Sequence, residues 1–401
     1  MISQKYLTLI FFFISTFLYI SIINGENQNP IYKYESKLKF RTDGKFKIIM
    51  FTDLHYGEFN SFDSLNHQAQ NKLLDFEKPD LVILSGDMIS GYNKNFFNES
   101  RYHHSWELLT KPMRDRNIPW AITFGNHDAE GSYTGSMLMD LDLSYNGSLS
   151  QHGKVYGVGA ANYILPITNS KSDDIASLVY IFDSDNEDCD ENSYWGCVYK
   201  EQVRWYEEQS EYYNKTPSVA FVHIPPIEAV DLWNEYEVYG DFGDTQACCY
   251  TTSESKFVDT IVERGDIKAL YFGHDHRNDY HGNYKGLDLG YGRKTGYGSY
   301  DPKYPQGARV IEIEQDPFTH KTWIRNVFGD VEDQPLHKPS ADQVPRICCL
   351  PAKETPLYWV PYVLVFCLVI IGFSLFQFKK LLSIPSMNDE PIYSSVQTHD
   401  I

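Results

Sequence analysis

Ile48-Ile49-Met50-Phe51-Thr52-Asp53-Leu54-His55 opens with four apolar residues and ends abruptly on two side chains that bind hard metals. The same pattern recurs along the chain. Leu81-Val82-Ile83-Leu84 runs into Ser85-Gly86-Asp87, and Trp120-Ala121-Ile122-Thr123 into Phe124-Gly125-Asn126-His127-Asp128. Val219-Ala220-Phe221-Val222 stops at His223, and Ala269-Leu270-Tyr271-Phe272 runs into Gly273-His274-Asp275-His276. Short apolar runs bounded by glycine and polar residues read as buried strands. Strands of one sheet end side by side, so residues far apart in sequence can converge just past those ends.

The residues delivered in this way are Asp53, His55, Asp87, Asn126, His223, His274 and His276. They offer carboxylates, an amide oxygen and imidazoles, but no thiolate. A catalytic zinc takes three protein ligands and keeps a position open, so this set is too large for one ion. It suits two ions sharing a carboxylate. Nitrogen and oxygen donors without sulfur point to Zn, Mn or Fe, as two divalent or mixed-valence ions.

The order D-x-H, GD, GNH(D), H, GHxH resembles the calcineurin-like metallophosphoesterase superfamily over residues 46–314. The resemblance implies that Asp53, His55 and His276 bind one metal, that Asn126, His223 and His274 bind the other, and that Asp87 bridges them. It implies that His127 contacts the phosphate and protonates the leaving oxygen, and that a metal-activated hydroxide attacks. Downstream, residues 273–280 and 292–300, followed by Gly307-Ala308-Arg309-Val310-Ile311, resemble a fungal and plant branch labelled purple-acid-phosphatase-like. Coloured members carry Tyr three residues after the bridging Asp. Ser90 stands there in this chain, and His55 is kept, which implies a colourless site with His55 in the tyrosine's coordination position.

The chain has 401 residues and a net charge of −19. Such a surface repels nucleic acid and anionic membrane, which leaves a small phosphoester as the expected partner. Residues 6–23 are apolar after Lys5, and residues 1–25 read as a signal peptide. Leu357–Phe378 carries no charge and is followed by Lys379-Lys380. A bilayer crossing needs ~20 apolar residues, and the lysines fit a cytoplasmic flank. The expected organisation is a phosphoesterase domain over 26–329, a stalk over 330–356, one C-terminal transmembrane helix over 357–378 and a cytoplasmic tail over 379–401. That makes a single-pass type I membrane protein with its catalytic domain extracellular or luminal. Cys189, Cys197, Cys248, Cys249, Cys348 and Cys349 would lie outside the membrane and allow three disulfides. Cys189 with Cys197 is the favoured pair; a bridge from Cys248 or Cys249 to Cys348 or Cys349 would tether the stalk. The sequons at Asn98, Asn146 and Asn214 fit the same secretory route.

Strands alternating with helical segments at 64–75, 102–114, 200–213 and 256–263 give an α/β class. The family resemblance sharpens this to a four-layer α/β/β/α sandwich with the metals at the C-terminal edges of the sheets. Residues 129–160 read as loops and a short helix over the cleft, and 225–252 as a long insert after His223. Asp128 and Asp275 are expected to orient imidazoles, while Arg293 and Tyr297 are candidates for substrate contact.

Three functions follow from this reading. The favoured one is a membrane-anchored dimetal phosphatase that hydrolyses phosphomonoesters. The alternatives are a phosphodiesterase on lipid headgroups or nucleotides, and a non-catalytic binding or sorting receptor on the same fold. A Tyr393-Ser394-Ser395-Val396 sequence in the tail favours the last.

Overall fold

The computed structural model describes residues 38–155, 159–190, 193–250, 255–300, 303–349 and 359–382. The expected signal peptide and the Tyr393 motif lie outside them. Two compact units divide the chain, Met1–Pro351 and Ala352–Ile401.

Five strands deliver the candidate site residues. They are β1 (Lys45–Phe51), β2 (Leu81–Ser85), β3 (Trp120–Thr123), β4 (Ser218–Phe221) and β5 (Ile267–Phe272). The first three run parallel in a five-stranded sheet, which the antiparallel strands Gly307–Gln315 and Phe318–Asn326 complete beside β1. The other two lie parallel in the middle of a nine-stranded mixed sheet. Parallel alignment brings the C-terminal ends of neighbouring strands together, which is why each apolar run ends beside the next.

The two sheets share one core. Ile49, Met50 and Val82 pack in the same cluster as Val219, Phe221, Ala269 and Tyr271. Ala220 of β4, Val222 just after it, and Leu270 and Phe272 of β5 face a second cluster on the opposite side. Both faces of these strands are therefore buried, and such strands are apolar throughout instead of alternating. The same holds for Ile175–Ile181, whose last five residues are all buried.

Helices complete the layers. Asn60–Glu77 and Glu99–Arg114 add Leu73, Leu74, Trp106, Leu109 and Met113 to the first cluster. Lys200–Tyr212 and Phe257–Arg264 add Trp205, Tyr206, Val258 and Ile261 to the second. The short helix Gly135–Leu143 was expected over the cleft. It packs on the core instead, where buried Asp142 accepts hydrogen bonds from the Trp106 and Trp120 indoles at 3.0 and 2.9 Å.

Cys189 pairs with Cys197, Cys248 with Cys349, and Cys249 with Cys348. Three disulfides fit an extracellular or luminal domain. The last two bridges hold part of the expected stalk against the domain. Leu336–His337 also joins the nine-stranded sheet as an edge strand, and Arg346 pairs with Asp231.

In the second unit, Trp359–Leu382 is helical. Phe366, Leu368, Val369, Ile370, Ile371, Phe373, Leu375 and Phe376 are all exposed. Among the described residues no helix is long and apolar enough to cross a membrane. Residues 357 and 358 of the expected span lie outside the described residues.

Candidate metal centre

The strand ends bring the candidate ligands to one place. Ligand atoms of Asp53, His55, Asp87 and His276 lie within 4.8 Å of one another, and so do those of Asp87, His223 and His274. Asp87 is common to both groups. Asn126, at the end of β3, is buried with its Oδ1 unpaired. All seven residues are at most 8 % exposed.

The turns that present them are tight. Asp53, His55, Asp87 and His274 hold φ of 54°, 52°, 49° and 73°. Left-handed backbone is uncommon for residues with a Cβ, and its concentration here marks strain held by the surrounding fold. Two glycines explain the GD and GN pairs. A Cβ on Gly86 would sit 2.4 Å from His223 Nδ1, and one on Gly125 would sit 2.2 Å from Asp87 Oδ1.

Hydrogen bonds fix how the imidazoles face. His223 Nδ1 lies 2.8 Å from the Ser85 carbonyl, and His276 Nδ1 lies 3.3 Å from the Tyr300 carbonyl. A carbonyl only accepts, so both Nδ1 atoms donate. The Ser90 hydroxyl donates to Glu58 at 2.7 Å, so its oxygen accepts from His55 Nδ1 at 3.0 Å. Each Nε2 is then left with a lone pair when the ring is neutral. Yet His55 Nε2 and His276 Nε2 are 3.3 Å apart. Two lone pairs facing each other repel unless a cation lies between them.

The second group shows the same need differently. Asn126 Oδ1, His223 Nε2 and His274 Nε2 are all buried without a hydrogen-bond partner. An unmatched buried polar atom costs ~1–3 kcal/mol, and three together make a coordination shell the natural reading. The donor set therefore fits two cations.

The clustered groups shift one another's charge strongly. Burial works against the Asp87 charge, but His223 and His127 hold its carboxyl well below the usual range. Burial likewise opposes charge on His223, but Asp87 outweighs it and lifts the imidazole to about 10. Burial and the nearby His223 push His274 down to about 3. Burial also lowers His55 and His276, with Lys294 adding to both. Lys294 is buried and donates to the Asp53 carbonyl at 3.1 Å.

His127 sits at the edge of this pocket with its side chain 29 % exposed. Its backbone N–H donates to Asp87 Oδ1 at 2.9 Å, and its Nδ1 meets Glu130 Oε2 at 2.6 Å. Burial disfavours the imidazolium, but Asp87 and Glu130 prevail and raise it to about 9. A pocket lined by Tyr92, Glu130, Asp185 and Asn186 opens beside it.

Calcineurin-like phosphoesterases provide the family model that matches residues 46–278. The chain belongs to that family. It is 30 % identical over 316 residues to a protein of Arabidopsis thaliana named "Probable inactive purple acid phosphatase 28", covering 69 % of this chain and 77 % of that one. It is 28 % identical over 285 residues to "Phosphatase DCR2" of Saccharomyces cerevisiae, covering 63 % of this chain and 47 % of that one. Among solved structures, a dimetal phosphatase from Danio rerio covers 69 % of this chain and 98 % of its own, at 11 % identity and a TM-score of 0.48.

Some expectations need correction. Asp128 orients no imidazole; its carboxylate accepts the Gly125 and Ile89 N–H groups at 2.8 and 3.1 Å. Asp275 accepts from Cys248 N–H at 3.0 Å and from the Tyr291 hydroxyl at 2.7 Å. A short carboxylate beside a tight turn satisfies the turn before it can reach outward. Arg293 is buried, paired with Asp279 and bonded to the Pro305 carbonyl, so it braces a loop and does not line the pocket. Tyr297 packs against the first core cluster. Sequence reading missed Glu58, Tyr92, Glu130, Trp195, Lys294 and Tyr300. Glu130 carried a signal, three residues after His127, and Lys294 and Tyr300 lie in the 292–300 stretch that carries the branch resemblance.

Proposed function

We propose that this chain is a membrane-anchored dimetal phosphatase acting on phosphomonoesters. One observation carries the reading. Six buried donors from four strand ends converge in two groups that share Asp87, and buried Asn126 Oδ1, His223 Nε2 and His274 Nε2 have no hydrogen-bond partner. We assign Asp53, His55 and His276 to one ion, Asn126, His223 and His274 to the other, and Asp87 to both. Two bound Zn, Mn or Fe ions would supply Lewis acidity toward the phosphoryl oxygens and lower the pKa of a water molecule.

The chain's own residues do the rest. With Nδ1 engaged by Glu130, His127 has Nε2 left to meet the leaving oxygen. A general acid must come within hydrogen-bond reach of that atom, and the ring's partial exposure allows it. Asp87 holds the His127 backbone as well as both ligand groups, so it sets the distance from the acid to the reacting phosphoryl group. The word "inactive" in the Arabidopsis name describes that protein.

Membrane attachment rests on the uncharged stretch at 357–378 and on the exposed apolar helix within it. We assign 1–25 to a signal peptide, 26–329 with the attached segment 336–349 to the catalytic domain, and 379–401 to a cytoplasmic tail. Glycosylation at Asn98, Asn146 and Asn214, all exposed, would accompany that route.

The test is turnover of an aryl phosphate by the purified protein with and without EDTA, beside an aryl diester. Loss of monoester cleavage on chelation and its return with Zn, Mn or Fe supports the reading. Turnover unaffected by EDTA, or absent under every metal, overturns it. A diester rate exceeding the monoester rate replaces phosphatase by phosphodiesterase.

A further inference from the structure

One carboxylate outside the ligand set reaches three of the site imidazoles. Glu58 follows β1 by a few residues and is partly buried. Its Oε1 accepts from the Ser90 hydroxyl at 2.7 Å and from the Tyr92 hydroxyl. The Ser299 N–H donates to both oxygens, at 2.8 and 2.9 Å. Each of these donors leads on to the site. Ser90 lies 3.0 Å from His55 Nδ1. The Tyr92 ring meets His127 edge-on at 4.9 Å. Ser299 precedes Tyr300, whose ring stacks on His276 at 3.9 Å and whose carbonyl takes His276 Nδ1 at 3.3 Å.

We propose that Glu58 is the positioning residue of this centre, and that through Ser90 it fixes the orientation and tautomer of His55. The inference rests on the two-metal reading above. A hydroxyl has one proton. Because Ser90 gives it to Glu58, the oxygen turns its lone pair to His55 Nδ1, and Nε2 is freed as a donor to metal. A carboxylate suits the task because it only accepts, and three donors converge on it. Without Glu58 the Ser90 proton can turn toward His55 and select the opposite tautomer, whose Nε2 carries a hydrogen and cannot ligate. Loss of a partner that orients a metal-bound histidine costs about 10–100-fold in metal affinity.

The experiment titrates Mn²⁺ into metal-stripped full-length protein by calorimetry, with metal counting by plasma mass spectrometry. Wild type, Glu58→Ala, Ser90→Ala and Ser90→Thr are compared, each checked for native circular dichroism. Two ions in the wild type are expected, with one ion about 10–100-fold weaker in Glu58→Ala and Ser90→Ala while the other stays tight. Ser90→Thr keeps the hydroxyl and is expected to restore both. A purely structural role would weaken both ions together, and Thr would not rescue selectively. Two ions bound with wild-type affinity in Ser90→Ala overturn the inference, also where Glu58→Ala fails to fold. A wild type that takes up no metal overturns the two-metal reading and this inference together.

Discussion

The two halves of the centre are braced by different means. Around Asp53, His55 and His276 the support is polar and local. Thr52 donates to Asp53 at 2.9 Å, Ser90 fixes His55, and Tyr300 holds His276. Around Asn126, His223 and His274 three donor atoms have no partner, His223 Nδ1 is held by the Ser85 carbonyl at 2.8 Å, and further support comes from far along the chain. Trp195 meets His274 edge-on at 4.5 Å and donates its indole N–H to the Cys349 carbonyl at 2.9 Å. Cys349 is bonded to Cys248, whose N–H holds Asp275 between the two histidines. Hydrogen bonds near the ligands order both halves, and the second adds a cross-link to a segment near the end of the domain.

Asp87 is the point at which that contrast vanishes, since both halves use it. Asp87→Ala is expected to lose both ions and to lower kcat on an aryl phosphate by more than ~10⁴-fold, beyond the range of a lost acid–base group. Retention of two ions by this variant, counted by mass spectrometry, would break the division into halves. His127→Ala removes only the proton donor. It is expected to keep both ions and to lose about 10²–10⁴-fold in kcat.

Chelation should expose the asymmetry as stability. Metal bound to the folded state at a concentration of 1,000 times its Kd adds about 4 kcal/mol. EDTA is expected to lower Tm, measured by differential scanning calorimetry, and re-addition of metal to restore it. Cutting the Cys248–Cys349 bridge by a double Ser substitution is expected to cost roughly 2–4 kcal/mol. It should also weaken the ion on the His274 side alone. Equal weakening of both ions would mean that the strap supports the whole domain rather than one half.

Asn126→Leu separates function from folding. It removes a buried acceptor that has no partner, so the metal-free protein is expected to gain about 1 kcal/mol of stability. The same change should abolish binding of one ion. A metal-free protein destabilised by this substitution would show that Asn126 Oδ1 is satisfied without a cation.

The ligands of both halves were legible. Each ligand follows an apolar run, and β3 occupies the residues that its sequence marks out, Trp120–Thr123. Burial on both faces produces such runs, so the signal is physical and sits within a few residues of its consequence. Glu58 and Tyr300 were not legible, because their importance comes from which loops pack together. The two bridges from Cys248 and Cys249 were legible as a class, but not as partners. Asp128 and Asp275 misled because proximity in sequence suggested contact with an imidazole, whereas the nearest unsatisfied groups were backbone N–H donors and a tyrosine hydroxyl.

The smallest expected effect tests the remote brace directly. Trp195→Phe keeps an aromatic ring against His274 but deletes the N–H that reaches Cys349. An uncharged hydrogen bond contributes about 0.5–1.5 kcal/mol net, so ion affinity on the His274 side should fall by roughly 2–10-fold. Affinity on the His55 side should not move, because Ser90 and Glu58 are untouched. Calorimetric titration with Mn²⁺ resolves the two sites. If Trp195→Phe weakened the His55 side equally, the two halves would share a single support, and the polar network around Glu58 would be part of the same scaffold as the disulfide strap.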